Sequence, residues 1–258
     1  MSVKQIENLL ALLEFFAARG APVTLADVVA EFGWPRSSAF NILTTLVEAG
    51  YLYEPRARGG FYPSPKWAQV IGEISQAEPL PPALHDAVQH LADETGETVW
   101  SSAPSGLFAV FLDVFESTAA VRYATQTGRR VPIHVTASGQ ALLSQMPERD
   151  CEVILRKVGW EGFGPNAPKN RAEFDAQFAA GRARGWFLSA SNYSADLGGV
   201  AVPVVINGRI FSITVAGPLY RVADKAAQHA QMIYAAIARI MGPQHSATTL
   251  TGLATPSF

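Results

Sequence analysis

Seven residues between positions 36 and 45 share one side of a helical pattern: Arg36, Ser37, Ser38, Phe40, Asn41, Thr44 and Thr45. They form a face of short polar groups with one ring and almost no charge. That composition is too polar for a core, and it lacks the Glu/Lys pairs of an ordinary solvated helix. Hydroxyls, an amide and an arginine at a helix N-terminus are suited to phosphate oxygens and to base edges in a major groove. Other residues with reactive side chains do not assemble into a catalytic pattern. His134 and Ser138 are close in sequence and Asp196 is available as a third member, but Ser138 lacks the G-x-S-x-G elbow and nothing orients the histidine. His85, His90 and His229 have no second histidine at i+4 and no H-E-x-x-H pattern, and Cys151 has no partnered histidine. No phosphate-binding glycine loop is present, so no cofactor is expected and catalysis is disfavoured.

The elements that must hold this face surround it closely. Thr24 caps a helix with Asp27 three residues on, and Leu25, Val28, Val29 and Phe32 form its apolar stripe. Gly33 ends it, and Pro35 suits the first turn of the next helix, which is expected to bury Ala39, Leu43, Leu46 and Val47. Tyr51 to Tyr53 and Phe61-Tyr62 then read as a hairpin whose tip carries Arg56, Arg58 and two glycines. A helix over 2–19 precedes the pair, with Val3, Ile6, Leu9, Leu10, Leu13, Phe16 and Ala17 as its inward face. A further helical pattern runs from Lys66 to Gln76, and Pro79, Pro81 and Pro82 form a stiff break.

Beyond the break the periodicity mixes. A helix is expected from Ala83 to Thr95, then strands over 98–103, 107–115 and 119–125. A turn through Pro132 to Gly139 leads into a helix through Met146, with further helices over 148–157 and 171–184. Strands over 186–190, 200–206 and 209–216 follow, the last two joined by Asn207-Gly208, and a long helix over 222–241 closes the pattern. This predicts a two-domain chain: an N-terminal, mainly helical winged helix-turn-helix over 1–64 and a C-terminal α+β domain over 83–242 with an antiparallel sheet. A linker helix and proline break occupy 65–82, and 243–258 reads as a disordered tail.

Composition sets the outer limits. The chain has 258 residues, 48% of them apolar and 16% charged, which describes a globular protein large enough for two cores. The single cysteine excludes an internal disulfide and a multi-cysteine metal site. No apolar run reaches the ~20 residues of a membrane span, and Lys4, Glu7 and Glu14 argue against a signal peptide, so a cytoplasmic protein without a membrane partner is expected. The formal charge is −2, and residues 1–75 hold six Lys/Arg against seven Asp/Glu. That balance lacks the usual basic footprint of a nucleic-acid binder, although Arg36, Arg56, Arg58 and Lys66 gather around the helix pair and hairpin.

Three stretches together carry a resemblance: GWPRSSAFNILTTLVEAGYL, VPIHVTASGQALLS and GGVAVPVVINGRIFSITVAGPLYRV, in that order. In order and spacing they resemble the IclR family of transcriptional regulators over nearly the whole chain. The resemblance implies a recognition helix, a GAF-like effector-binding domain, and a homodimer or dimer of dimers on a palindromic double-stranded operator. It places Arg36, Ser37, Ser38, Phe40, Asn41 and Thr44 in the major groove, with Arg56 and Arg58 on the backbone or minor groove. It maps an effector site onto Ala137 and Ser138, wall positions Ala120 and Tyr123, and Ser189, Asn192, Gly199, Thr214 and Ala216. These substitutions imply a pocket less acidic and roomier than that of members binding small keto acids. Phe108, Trp160, Phe163 and Trp186 are available as apolar walls for a larger, aromatic or weakly charged effector. Two competing classes remain open at this point: a small-molecule sensor whose winged helix contacts protein, and an enzyme built on the C-terminal domain.

Overall fold

The computed structural model describes residues 3–56, 59–77 and 80–241. Arg58 and the 243–258 stretch read as a tail lie outside them, as does Pro79 of the proline break. The chain divides into two compact units, residues 1–79 and 80–258.

The first unit is built by local signals. Helix α1 (Lys4–Arg19) stops at Gly20 in the left-handed region. Helix α2 (Leu25–Phe32) starts with a reciprocal capping box: Thr24 Oγ1 accepts from Asp27 N, and Asp27 Oδ2 accepts from Thr24 N at 2.8 Å. The Thr24 hydroxyl and amide, followed by Arg19, hold the Asp27 carboxyl below the usual carboxylate range. Helix α3 (Arg36–Glu48) follows Gly33, with Pro35 at the cap position just before the first turn, its carbonyl accepting from Ala39 N. Strands β1 (Leu52–Tyr53) and β2 (Tyr62–Pro63) form the hairpin, and Val23 bridges Phe61. Gly60 is required there: its φ is +90°, and a Cβ would lie 2.9 Å from the Val23 carbonyl. Helix α4 (Lys66–Ala77) is fastened to this unit through Trp67 Nε1 donating to Tyr51 O and Lys66 Nζ to Ala49 O. The unit boundary falls after Pro79, so this helix belongs with the first unit rather than standing as a free linker.

The inward face of α1 differs from the expected one. Leu12 and Phe16 are buried, with Leu9 and Phe15 packed against the same core, whereas Val3, Ile6 and Leu10 are each more than half exposed and Ala17 is also exposed. Periodicity locates an apolar stripe but not what covers it, and here the helix buries the neighbouring side. Val47 is corrected in the same way. Ala39, Leu43 and Leu46 fill the inward stripe of α3, and Val47 turns outward.

The second unit is an antiparallel six-stranded sheet in the order β5-β4-β3-β8-β7-β6. Its strands are β3 (Thr98–Ser105), β4 (Phe108–Phe115), β5 (Arg130–Pro132), β6 (Phe187–Ala190), β7 (Leu197–Ile206) and β8 (Arg209–Pro218). Asn207 and Gly208, both at positive φ, make the tight turn between β7 and β8. One face carries Val99, Val200, Val202, Phe211, Ile213 and Val215. It packs on Leu84, Val88 and Leu91 of α5 (Pro82–Thr95) and on Ala230, Ile233 and Ala236 of α10 (Ala226–Met241). The other face receives the short helix α6 (Ala137–Leu143), every residue of which is buried. A Cβ at Gly139 would lie 2.1 Å from Ile133 O, so only glycine lets α6 seat. Helices α7 (Glu148–Leu155) and α8 (Arg171–Arg184) pack outside it, with Phe174 at their common core.

Two expectations fail here. Residues 119–125 are not a strand; the edge position beside β4 goes to β5. Side chains satisfy this stretch instead of a ladder: Thr98 Oγ1 donates to Tyr123 O, Ala119 N to Ser117 Oγ, and Arg122 pairs with Glu116 at 2.5 Å. The closing helix also starts later than expected: α10 begins at Ala226, and Val222 ends a separate short turn, α9 (Leu219–Val222). Arg221 is drawn to the buried Glu97, at 2.6 and 2.9 Å, and to Val121 O, which holds the first turn apart from the long helix.

Candidate functional site

Two features stand out, one in each unit: an exposed polar helix face and a largely apolar cavity. On α3 the buried stripe points one way, and Arg36, Ser37, Ser38, Phe40, Asn41 and Thr45 are exposed on the other, with Thr44 half-buried. Phe40 is 52% exposed, a large ring left in water. Thr45 bonds back to Asn41 O, but the side chains of Arg36, Ser37, Ser38 and Asn41 make no hydrogen bond or ion pair within the described residues. Arg56, on the described part of the hairpin tip, is likewise exposed and unpaired among them. Lys66, counted with the basic cluster from sequence, is instead committed to Ala49 O and to the Tyr51 ring.

The second is a cavity between the sheet and α6, with about 30 Å³ of room inside it. Its floor is set by register. Ser189, Gly199 and Ala216 pair across β6, β7 and β8 and so share one face, and Trp100 pairs with Thr214 two residues further along the strands. Tyr123, Val131, Tyr193 and Leu197 close the sides, and Thr136, Ala137 and Ser138 approach from the start of α6. Thr136 Oγ1 caps that helix by accepting from Gly139 N, and Ser138 Oγ donates to the same oxygen. Every lining side chain is formally uncharged. Just outside the wall, the Arg129 guanidinium donates to Tyr193 Oη and lies 5.8 Å from the Tyr123 ring centroid. Burial pushes the Tyr123 phenol up, with Arg129 opposing it.

Of the nine effector positions read from sequence, Tyr123, Ala137, Ser138, Ser189, Gly199, Thr214 and Ala216 meet at this cavity. Ala120 and Asn192 do not. Ala120 is exposed on the irregular stretch that replaces the expected strand. Asn192 is buried, but its amide is spent on Ala190 N and Gln177 Oε1. The four expected aromatic walls also lie elsewhere: Phe108 is under Arg130, Trp160 and Phe163 meet His134 edge-on, and Trp186 is under Arg184. The rings that bound the cavity are Trp100, Phe111, Tyr123 and Tyr193. Alternation along β3 placed Trp100 on one sheet face, but only the pairing with β8 reveals what it stands beside.

The reactive side chains considered from sequence are engaged separately. His134 Nε2 donates to Gly159 O, burial holds this imidazole below its usual range, and Ser138 bonds Thr136. Cys151 Sγ donates to Leu143 O and its thiol is pushed up by burial, the opposite of an activated nucleophile. Among the described residues no group of three or more His, Cys, Asp or Glu side chains is placed to hold a metal ion. No described helix is long and apolar enough to cross a membrane.

Comparison with known proteins agrees with this architecture. Residues 5–56 match the IclR helix-turn-helix domain, and residues 77–241 match the bacterial transcriptional regulator IclR C-terminal domain. The transcriptional repressor IclR of Escherichia coli is 24% identical over 226 residues, covering 86% of this chain and 82% of the relative. The "Probable transcriptional regulator SauR" of Cupriavidus necator is 30% identical over 198 residues, covering 76% and 78%. Among solved structures, Thermotoga maritima IclR superposes with a TM-score of 0.73 at 20% identity, covering 92% of this chain and 95% of that one. A Microbacterium hydrocarbonoxydans IclR homologue complexed with 4-hydroxybenzoate superposes with a TM-score of 0.65 at 19% identity, covering 91% and 99%.

Proposed function

This chain belongs to the IclR family of bacterial transcriptional regulators, and from that premise we propose how its two units divide the work. The exposed face of α3 reads an operator in the major groove through Arg36, Ser37, Ser38, Phe40, Asn41 and Thr44. Arg56 and Arg58 on the hairpin hold the phosphate backbone or the minor groove. The observation that carries this reading is that the side chains of Arg36, Ser37, Ser38 and Asn41 are exposed and unpaired among the described residues, so they are free to bond to a duplex. The low overall charge is compatible with it, since groove-facing placement, doubled in a dimer, sets the number of phosphates neutralised.

The chain acts as a homodimer or a dimer of dimers, on a palindromic site that mirrors its two-fold symmetry. Support comes from the apolar side chains that α1 and α4 leave uncovered: Val3, Ile6 and Leu10, and Ile71 and Ile74, are each more than half exposed. The chain's work is that of a regulator in the cytoplasm rather than of an enzyme, as its family supports.

The cavity beside α6 takes a small organic effector. The cavity's room of about 30 Å³ is far below the ~300–1,000 Å³ typical of ligand pockets, because Trp100 and Phe111 occupy the space that the small floor residues leave. An effector therefore enters only as side chains lining the cavity move aside, which favours a compact flat molecule over the larger one that Gly199 and Ala216 imply by themselves. The backbone N–H groups of Ala137 and Ser138 at the start of α6 face its polar end. DNA affinity then changes only by the effector's differential affinity for the two functional states. A gel-shift series on DNA from the chain's own upstream region, run from low to high salt, tests the central reading. A complex that weakens steeply with salt is expected, and no salt-sensitive complex at any concentration would overturn it.

A further inference from the structure

Buried polar groups nearly always have a partner, so those that lack one call for an explanation. Among the described residues, six buried side-chain atoms have no partner in the protein: Trp100 Nε1, Ser101 Oγ, Thr125 Oγ1, His134 Nδ1, Thr214 Oγ1 and His229 Nδ1. Only Trp100 and Thr214 of these line the cavity, and they are direct register partners on β3 and β8. Trp100 is 4% exposed and Thr214 1%, so neither side chain turns to bulk water.

We propose that Trp100 is a specificity-determining residue of the effector cavity. Its indole N–H and the Thr214 hydroxyl donate together to one sp² oxygen of the effector, which is an aromatic carboxylic acid or amide. This inference rests on the cavity being the effector site. The chemistry follows from the donors. An indole nitrogen can only donate, so its missing partner is an acceptor, and a threonine hydroxyl beside it can donate to the same atom. The donor is also held in direction, because Trp100 stacks on Phe111 at 4.4 Å and tilts against Tyr123 at 5.7 Å. The uncharged lining offers no counter-charge to a cationic ligand, while Arg129 behind Tyr123 and Tyr193 favours a neutral or singly negative one. The ring of the ligand enters over Gly199, with neighbouring side chains moving to widen the room of about 30 Å³ now there. A Cβ built there would meet only Ala216 Cβ, at an ordinary 3.6 Å, so no side chain of the fold already fills that position.

The test uses the full chain with ¹⁵N-labelled tryptophan, the Trp100 indole signal being assigned by its loss in Trp100→Phe. Benzoate, benzamide, toluene and benzylammonium are titrated as probes. Benzoate or benzamide should move the Trp100 indole proton downfield, and the stronger of the two identifies acid or amide. Toluene should bind about tenfold more weakly or worse, since it leaves both donors unmade. Thr214→Val should reduce the affinity of the preferred probe about tenfold and leave toluene unchanged. Equal binding of toluene and benzoate would overturn the role of Trp100 while leaving the cavity as the effector site. Probes that bind without disturbing Trp100, tightest binding by benzylammonium, or no binding by any probe would overturn the site or its ligand class. One arm needs no ligand: Thr214→Val should melt at or above the parent temperature. A fall of several degrees would show that the hydroxyl serves the fold, and the proposal would fail.

Discussion

The outward face of α3 and the α6 side of the sheet are built from similar side chains, hydroxyls and a few rings, yet water treats them differently. On α3, Ser37, Ser38 and Asn41 are exposed, so solvent satisfies them until a partner displaces it. In the cavity, Thr214 and Trp100 are buried, so their hydrogen bonds are made by a ligand or not at all. Specificity on the first surface is thus separable from stability. On the second, the groups proposed to select a ligand sit inside the packing that holds the unit together.

The strongest way to break that contrast is at α6. Gly139→Ala drives a Cβ into Ile133 O and should cost about 3 kcal/mol in urea denaturation, with effector binding lost alongside. A variant of parent stability would show that α6 is not seated as tightly as the contrast requires. On the exposed side, Asn41→Ala or Ser38→Ala should relax base preference by about 1–3 kcal/mol at one position of the operator. The same variants should shift unfolding by no more than about 0.5 kcal/mol, as surface substitutions do. A larger loss would mean that this face is structural after all. Arg56→Ala sharpens the division within the DNA-binding unit: affinity should fall evenly across sequences, and the salt slope should shrink by about one. A footprint altered in the manner of the Asn41 variant would put Arg56 on a base edge instead.

The smallest effect concerns pH. Burial lowers the pKa of His134 and of His229 from an ordinary value near 6.5. The unfolded chain therefore takes up these protons first as pH falls. The stability they contribute is full above about pH 6.5 and is lost on acidification through the folded-state values. Denaturation midpoints measured from pH 7.5 down to 5 should decline, and His134→Gln should flatten the decline. The α3 face holds no histidine, so its DNA contacts should not follow that curve.

Much of the architecture was legible because it is local. The Thr24–Asp27 box, the stop at Gly33 and the Asn207-Gly208 turn each depend on residues a few positions apart, whose backbone preferences survive in any fold. The seven mapped positions that meet at the cavity were legible only through family resemblance, because Ser189, Gly199 and Ala216 become neighbours by sheet register alone. Two mapped positions lie away from the cavity for different reasons: Ala120 falls in a stretch read as a strand that side-chain hydrogen bonds replace, and the Asn192 amide is engaged by Gln177 and Ala190.

Sequence by itself therefore determined the helix ends, the turns, the α3 face and the alternation of each strand, all set by short-range sterics and hydrogen bonding. Tertiary structure decided which apolar stripe of α1 is covered, that Val47 turns outward, and that Trp100 stands opposite Thr214 with no partner of its own. Those outcomes depend on which distant surface arrives to exclude water, and a periodicity carries no information about its neighbour across the core.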